Sequence, residues 1–324
     1  MKKIISIAVF FAMAITAARF AVAQTETYPG RPVRLIVAFP PGGSVDVVAR
    51  QVAPRLSESL GQPVVIDNRS GASGNIGTEA AARAKPDGYT LLIHTIPFVA
   101  NVHLYKEMPY DPLKDFVPIA LLSSSPSVLL VHPSVPARSV GELLQLAKSK
   151  PGALNYSAAG AGTNPHIAGE LFNMLGNVDI VAVQYKGGGP ALVAALGGEI
   201  GITFPNISEA VPHVNAGRLH ALGVTGARRS AALPEVPTVA ESGVPGYEFV
   251  TWHGMLAPRG TPGEIVALLN AKLRAILRSP ELSARFAQMG LDVIASSPGE
   301  FSVHLKSELE KWGKLVRERR MRVE

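Results

Sequence analysis

Short runs rich in apolar and β-branched residues alternate along the chain with longer stretches whose apolar positions recur at helical spacing. The predicted strands are Val33–Phe39, Val64–Asp67, Tyr89–Thr95, Ser127–His132, Asn155–Ala158, Ile180–Tyr185, Ile200–Phe204 and His220–Thr225. Several are apolar throughout, as strands covered on both faces are. The helical pattern predicts Val45–Leu60, Gly77–Ala84, Val140–Ser149, His166–Leu175, Ala191–Leu196 and Ile207–Ala216. It continues in Pro262–Arg278, Pro280–Met289 and Pro298–Arg319. This alternation predicts an α/β fold with mainly parallel sheets. No low-complexity tract or long linker divides the chain, which favours two lobes joined by crossing strands over separate beads.

Local signals mark several ends. Ser139-Val140-Gly141-Glu142, Thr261-Pro262-Gly263-Glu264 and Ser297-Pro298-Gly299-Glu300 match the capping box, in which a hydroxyl and a carboxylate satisfy each other's orphan backbone donors. Lys85-Pro86-Asp87-Gly88 stops one helix and turns the chain into a strand.

Charge changes the picture by where it sits. The 324 residues include 31 basic and 25 acidic side chains, a net +6. Residues 1–23 and 301–324 each hold +3 of it, so residues 24–300 carry no net charge. No basic face is implied for the body, and nucleic acid is excluded as a partner. The absence of Cys excludes disulfide scaffolds, thiolate metal sites and cysteine nucleophiles. Lys2-Lys3, the apolar run Ile4 to Ala18 and Ala21-Val22-Ala23 form a secretory leader expected to be cleaved after Ala23. An exported chain of this kind is expected in the periplasm.

Four passages repeat one layout of strand, glycine-bearing turn and helix start. The turns are Pro40-Pro41-Gly42-Gly43-Ser44, Asn68-Arg69-Ser70-Gly71-Ala72-Ser73-Gly74-Asn75, Gly160-Ala161-Gly162-Thr163-Asn164-Pro165 and Lys186-Gly187-Gly188-Gly189-Pro190. A helix start exposes unpaired N–H groups at the positive end of the macrodipole, and glycine lets the backbone approach an anion closely. One such turn is ordinary architecture. Four, two in the first half and two in the middle, imply facing lobes presenting amides to one anionic guest.

These residues resemble a known family. The opening Tyr28-Pro29-Gly30-Arg31-Pro32-Val33 through Phe39-Pro40-Pro41-Gly42-Gly43-Ser44-Val45-Asp46 is similar to that of the Bug/TctC extracytoplasmic solute receptors of tripartite tricarboxylate transporters. The likeness continues in Asn68 to Gly77, Gly162 to Phe172, Tyr185 to Ala191, Leu233 to Gly243 and Leu256 to Pro262. It implies a two-lobed periplasmic binding protein of the type II-like, Venus-flytrap form, with two mixed sheets and hinge strands. Lobe 1 would comprise residues 24–125 and 250–324, and lobe 2 residues 126–249. The resemblance places ligand contacts at Phe39, Pro41, Gly42, Gly43, Ser44 and Asp46, and at Gly71, Ser73, Gly74, Asn75 and Thr95. In the second lobe it places them at Gly162, Thr163, Asn164, His166, Lys186, Gly187, Gly188 and Asn206. The implied ligand is a small carboxylate: a di- or tricarboxylate, an aromatic acid or an acidic amino acid. The implied protein partner is a membrane permease of the tripartite tricarboxylate type or a sensor kinase. Two departures concern ligand identity: Pro205 stands where the family often has Asp, and His253 where an aromatic ring is usual.

Individual residues admit more than one role. Ser44 can cap its helix, contact a ligand, or both. Asp46, an acid beside an anion site, should brace backbone or water, unless the ligand carries an amino group. His166 can bond a ligand or end a loop; Lys186 can supply charge or lie in solvent. His253, Trp252 and Tyr247 read as wall or core residues, and the C-terminal basic residues as a solvated helix face. There is no G-x-S-x-G, H-E-x-x-H or Walker motif, and Gly71-x-x-Gly74-x-x-Gly77 is not a dinucleotide fingerprint. The expectation is a monomeric receptor without cofactor, metal or catalytic residues. An exported α/β hydrolase or lyase acting on a carboxylate ester is the alternative.

Overall fold

The computed structural model describes residues 28–322, so the expected leader at residues 1–23 lies outside the described residues. In chain order the first elements are β1 (Val33–Val37), α1 (Ser44–Leu60), β2 (Val64–Asn68), α2 (Asn75–Ala82), β3 (Thr90–His94) and α3 (Pro97–Leu104). Next come β4 (Phe116–Pro126), β5 (Val128–Val131), α4 (Val140–Ser149), β6 (Asn155–Ala158), α5 (Asn164–Gly176), β7 (Val181–Gln184) and α6 (Gly188–Leu196). The rest are β8 (Ile202–Thr203), α7 (Ile207–Asn215), β9 (His220–Val224), β10 (Val250–Pro258), α8 (Gly263–Leu277), α9 (Pro280–Gln288), β11 (Asp292–Val293) and α10 (Pro298–Glu318).

These strands form two mixed sheets within one unit that begins at Arg31. The first runs β11-β4-β10-β3-β1-β2; β1 pairs parallel with β2 and β3, and β10 runs antiparallel to β3 and β4. The second runs β7-β6-β8-β5-β9; β6 pairs parallel with β7 and β8, and β5 runs antiparallel to β8 and β9. The parallel pairs turn their carboxyl ends, and the glycine corners that follow them, toward one side of each sheet, where an α/β fold builds its sites.

Three strands were not expected: β4, β10 and the two-residue β11. β4 contains Pro118 and a triple serine, and β10 contains a central Gly254, so neither shows the alternation that marks a strand. Their pairing with each other makes them strands, and their insertion between β11 and β3 accounts for the antiparallel part of the first sheet. α3 was also missed, because Pro97-Phe98-Val99-Ala100 is apolar on every side and buried. The capping signals held at two helices. Ser297 and Glu300 form the reciprocal box at α10, while Ser139 caps α4 and the Glu142 carboxylate accepts from the Arg138 N–H instead. At α8 the expected box is absent: the Thr261 hydroxyl donates to the Pro258 carbonyl at 2.8 Å, and Pro262 takes the cap position.

The chain passes between sheets at Ser127 and again between Thr225 and Phe249. One buried hydroxyl ties the two passages together. Thr225 Oγ1 accepts from the Ser127 N–H at 2.7 Å and donates to the Phe249 carbonyl at 2.7 Å. Trp252 and Tyr247 are core residues, 2% and 1% exposed. Trp252 and Trp312 both donate to the buried Glu308 carboxylate, and Tyr247 donates to the Ala168 carbonyl. His253 is fully buried beside Ser123, and burial lowers its pKa to about 3, so it is a neutral wall residue. Along α10, Lys306, Lys311, Lys314 and Arg317 are exposed, whereas Arg319 just beyond it pairs with Glu170 of α5 at 2.9 Å.

Candidate functional site

All four glycine corners reach one cavity of about 520 Å³ between the two sheets. The corner after β1 contributes Phe39, Pro41, Gly43 and Ser44; the corner after β2 contributes Gly71, Ser73 and Gly74; Thr95 follows β3. From the second sheet come Thr163 and Asn164 after β6, Lys186, Gly187 and Gly188 after β7, and Asn206 after β8. Ser73 Oγ donates to the Ala161 carbonyl at 2.5 Å across the cleft, and Asn164 Nδ2 lies 3.5 Å from Thr95 Oγ1.

The helix starts around this space share one property. α1, α2, α5, α6 and α7 begin at Gly43, Gly74, Thr163, Gly187 and Asn206, and none of these residues caps its helix through its side chain. By contrast α4, α9 and α10, which open elsewhere, are capped by Ser139, Ser279 and Ser297. These cap positions leave the first-turn N–H groups at the cavity free of side-chain caps, which suits them to receive a guest; the Ser44 and Asn206 N–H groups already face the Glu209 carboxylate. Ser44 does not cap: it is the first helical residue, one position too late, and lines the cavity instead. Thr163 turns its hydroxyl to the Gly160 carbonyl at 2.6 Å.

Five expected contact residues stand behind the lining. Asp46 is buried and accepts from the Gly42 N–H (2.9 Å), Arg50 Nε (2.7 Å) and Asn68 Nδ2 (3.0 Å). Burial raises its pKa, but the bonds from Arg50, Gly42 and Asn68 more than offset this and hold it below the usual carboxylate value. Its acid therefore braces the first corner, with Gly42 as its backbone partner. His166 does the equivalent at the third corner, where Nδ1 accepts from the Gly162 N–H at 3.0 Å. Burial lowers its pKa despite nearby Glu170, which keeps the ring neutral and the proton on Nε2. Asn75 accepts from Asn101 Nδ2 at 2.7 Å, and the same amide holds the Ser73 carbonyl at 3.1 Å. Under the second corner lies His94, fully buried with its pKa lowered to about 4, packed edge-on to Phe39. Gly74 must be glycine here: its φ is +96°, and a Cβ would stand 2.7 Å from His94 Nε2.

Several lining residues were not foreseen, among them Ser70, Tyr185 and Glu209. Glu209 matters most. An acid in the first turn of a helix ordinarily reads as a partner of the dipole, so the sequence carried no signal that it faces a cavity. Burial raises its pKa to about 7, opposed by the Ser44 and Asn206 N–H groups. Lys186, exposed, and Tyr185, whose hydroxyl donates to Glu199 at 2.7 Å, are the other ionisable lining residues. Asn164 and Asn206 each keep a buried side-chain oxygen without a partner.

The family model described as the tripartite tricarboxylate transporter family receptor matches residues 48–321. The chain belongs to this receptor family. BugT of Bordetella pertussis is 37% identical over 305 residues, covering 94% of each chain. Among solved structures, Rpa4515 of R. palustris with adipate is 39% identical, with a TM-score of 0.88 over 91% of this chain and all of that one. MatC from Rhodopseudomonas palustris with bound malate is 34% identical, with a TM-score of 0.84 over 89% of this chain and all of that one. The α/β fold with two mixed sheets is that of the family's solved receptors. In this member of the receptor family, the cavity described above combines five uncapped helix starts with one lysine and one glutamate.

Proposed function

We propose that the protein is a periplasmic solute receptor that captures a small carboxylate in the cavity between its sheets and performs no chemistry on it. The observation that carries this reading is the convergence of uncapped helix starts from both sheets on one space. A hydrogen bond to a charged group is worth about 1.5–3 kcal/mol net. Four or five backbone donors, less the cost of immobilisation, approach the roughly 8 kcal/mol of a micromolar complex.

Residues 24–125 with 250–324, and residues 126–249, act as two lobes that close about the passages joined by Thr225. Phe39, Gly43, Ser44 and the Gly71–Gly74 turn receive the ligand from one side, and Thr163, Asn164 and the Lys186–Gly188 turn from the other. The adipate and malate in two solved relatives support a carboxylate ligand. The closed form is read by a permease of the tripartite tricarboxylate type or by a sensor kinase.

A thermal-shift screen of di- and tricarboxylates, aromatic acids and acidic amino acids tests the reading. A ligand that binds only the folded state raises the midpoint by mass action, and at least one class is expected to do so. A flat response across the panel overturns it. Turnover of a carboxylate ester by the purified protein would favour the exported hydrolase or lyase.

A further inference from the structure

Glu209 lies in the first turn of α7, and its carboxylate enters the cavity where three corners meet. The N–H of Ser44 at the start of α1 and the N–H of Asn206 face it. A methyl built on Gly188, at the start of α6, would stand 3.9 Å from both of its oxygens. The amide corner of α1 is thus already furnished with an anion from the chain itself. Among the described residues no Lys or Arg is ion-paired with Glu209, and Lys186 stands exposed on the same cavity without joining it. Beside it, Asn206, only 5% exposed, holds a buried side-chain oxygen that accepts nothing. This end of the cavity offers acceptors. The corners at Gly74 and Thr163, joined across the cleft by Ser73 and Ala161, begin two further uncapped helices and bring no acid to the lining.

We infer that Glu209 sets the ligand class: the cavity takes a monocarboxylate whose far end carries an ammonium or other hydrogen-bond donor, and it disfavours a second carboxylate there. The inference rests on the receptor reading above and narrows it. The ligand's carboxylate lies on the α2 and α5 starts, and its donor end meets the Glu209 carboxylate and the Asn206 oxygen. A second carboxylate in that place would face a like charge that no neighbouring cation neutralises, so discrimination comes from repulsion as well as attraction. Burial pushes the Glu209 carboxyl up to about 7, against the Ser44 and Asn206 N–H groups, and Lys186 is the remaining charge on the cavity. A cationic ligand end supplies the partner that this half-buried acid lacks.

Isothermal titration at about pH 8, a unit above that value, is run with matched pairs on the unmodified protein and on Glu209→Gln. Each pair shares a skeleton and differs at one end: 4-aminobutanoate with succinate, 6-aminohexanoate with adipate, and 3-aminobenzoate with benzene-1,3-dicarboxylate. The unmodified protein is expected to prefer the amino member of at least one pair by tenfold or more. Glu209→Gln should weaken that member at least tenfold and tighten its dicarboxylate partner. Glu209→Asp, which keeps the charge, should retain the preference and guards against a fold defect in the amide variant. The inference is overturned if the dicarboxylates bind the unmodified protein as well as their amino partners, or if both members shift equally in Glu209→Gln. No binding by any member to any of the three proteins would instead count against the receptor reading itself, and the inference would fall with it.

Discussion

Replacing Gly162 by alanine tests whether binding depends on the close approach of the two sides of the cleft. A Cβ at this position stands 2.5 Å from Leu104 Cδ1 and 2.6 Å from Asn101 Oδ1, both on α3. Ordinary carbon contacts lie at about 3.5–4.0 Å, so the overlap is roughly 1 Å. Two costs follow, and they separate. The backbone at Gly162 has φ +77°, a left-handed conformation that costs an L-residue about 1–2 kcal/mol. This part loads on the fold in every state and lowers the melting midpoint by roughly 2–3 °C for a chain of this size. The steric part, about 1–3 kcal/mol by analogy with overpacked cores, is felt only where the Gly160–Thr163 turn meets α3 across the cleft. It should reduce ligand affinity about 5- to 150-fold. Scanning calorimetry of the free protein reads the first cost. Titration with the strongest ligand from the thermal screen reads the second. A folded Gly162→Ala protein that binds within twofold of the unmodified one refutes the reasoning, because the two sides would then not need to touch.

Thr225→Val removes the hydroxyl joining the inter-sheet passages and leaves the buried Ser127 N–H unpaired, which should cost about 1–3 kcal/mol in urea unfolding. His253 has its folded pKa lowered by burial from 6.5 to about 3, so between those values the unfolded chain binds the extra proton and stability falls as pH drops through that window. At pH 5 the loss is about 2 kcal/mol, and His253→Phe should flatten the acid limb of the stability profile by up to one proton; an unchanged slope would mean that the ring is not protonated on unfolding. Arg319→Ala breaks the ion pair with Glu170, a carboxylate that also accepts from the Tyr156 hydroxyl at 3.0 Å. With Arg319 28% exposed, the expected loss is about 1–2 kcal/mol, shrinking in roughly molar salt. A loss unaltered by salt would assign the effect to packing of the arginine stem.

Periodicity read the fold well where each element is stabilised by its own local pattern. α1, α4 and α10 have one apolar face and clear end signals, and their predicted bounds fall within a residue or so of those observed. It failed where tertiary pairing overrides propensity. β4 carries Ser123-Ser124-Ser125 and β10 carries Gly254, yet each is clamped between partner strands, and Ser123, Ser125 and Thr251 are fully buried. The corners were legible because glycine at a strand–helix junction has few other uses. The orientation of side chains around them was not. Asp46 and His166 look like ligand groups by type and place, but each turns back to hold a backbone N–H. Glu209 looks like helix chemistry and turns into the cavity.

The distribution of helix caps joins these observations into one energetic argument. A side-chain cap is worth about 1 kcal/mol to a helix, and capping residues are abundant near the cavity. Ser44, Asn75 and Asn164 are good capping types, yet each sits at the first helical position, with Gly43, Gly74 or Thr163 in the cap position before it. At α1 and α2 a shift of one residue would replace a cap-position glycine by a side chain able to accept one of the orphan first-turn N–H groups. α3 and α8 are the uncapped helices outside this group: α3 follows the apolar Ile96 and closes its first turn through the Phe98 N–H to the Thr95 carbonyl, and at α8 proline occupies the cap position while Thr261 is committed to Pro258. Around the cavity Thr163 is likewise committed, to the Gly160 carbonyl, but glycine in the cap positions of α1, α2 and α6 and the unpartnered Asn206 oxygen at α7 have no such competitor. The starts of α2, α5 and α6 have no side-chain cap, so an anion that enters there meets preorganised N–H groups and does not first have to displace a capping side chain. The exception proves informative about specificity: at α1 the Glu209 carboxylate, from the other side of the cleft, faces that opening. On the proposed receptor reading, stability forgone at the starts of α2, α5 and α6 becomes affinity for a small carboxylate, and the acid facing α1 and α7 decides which one.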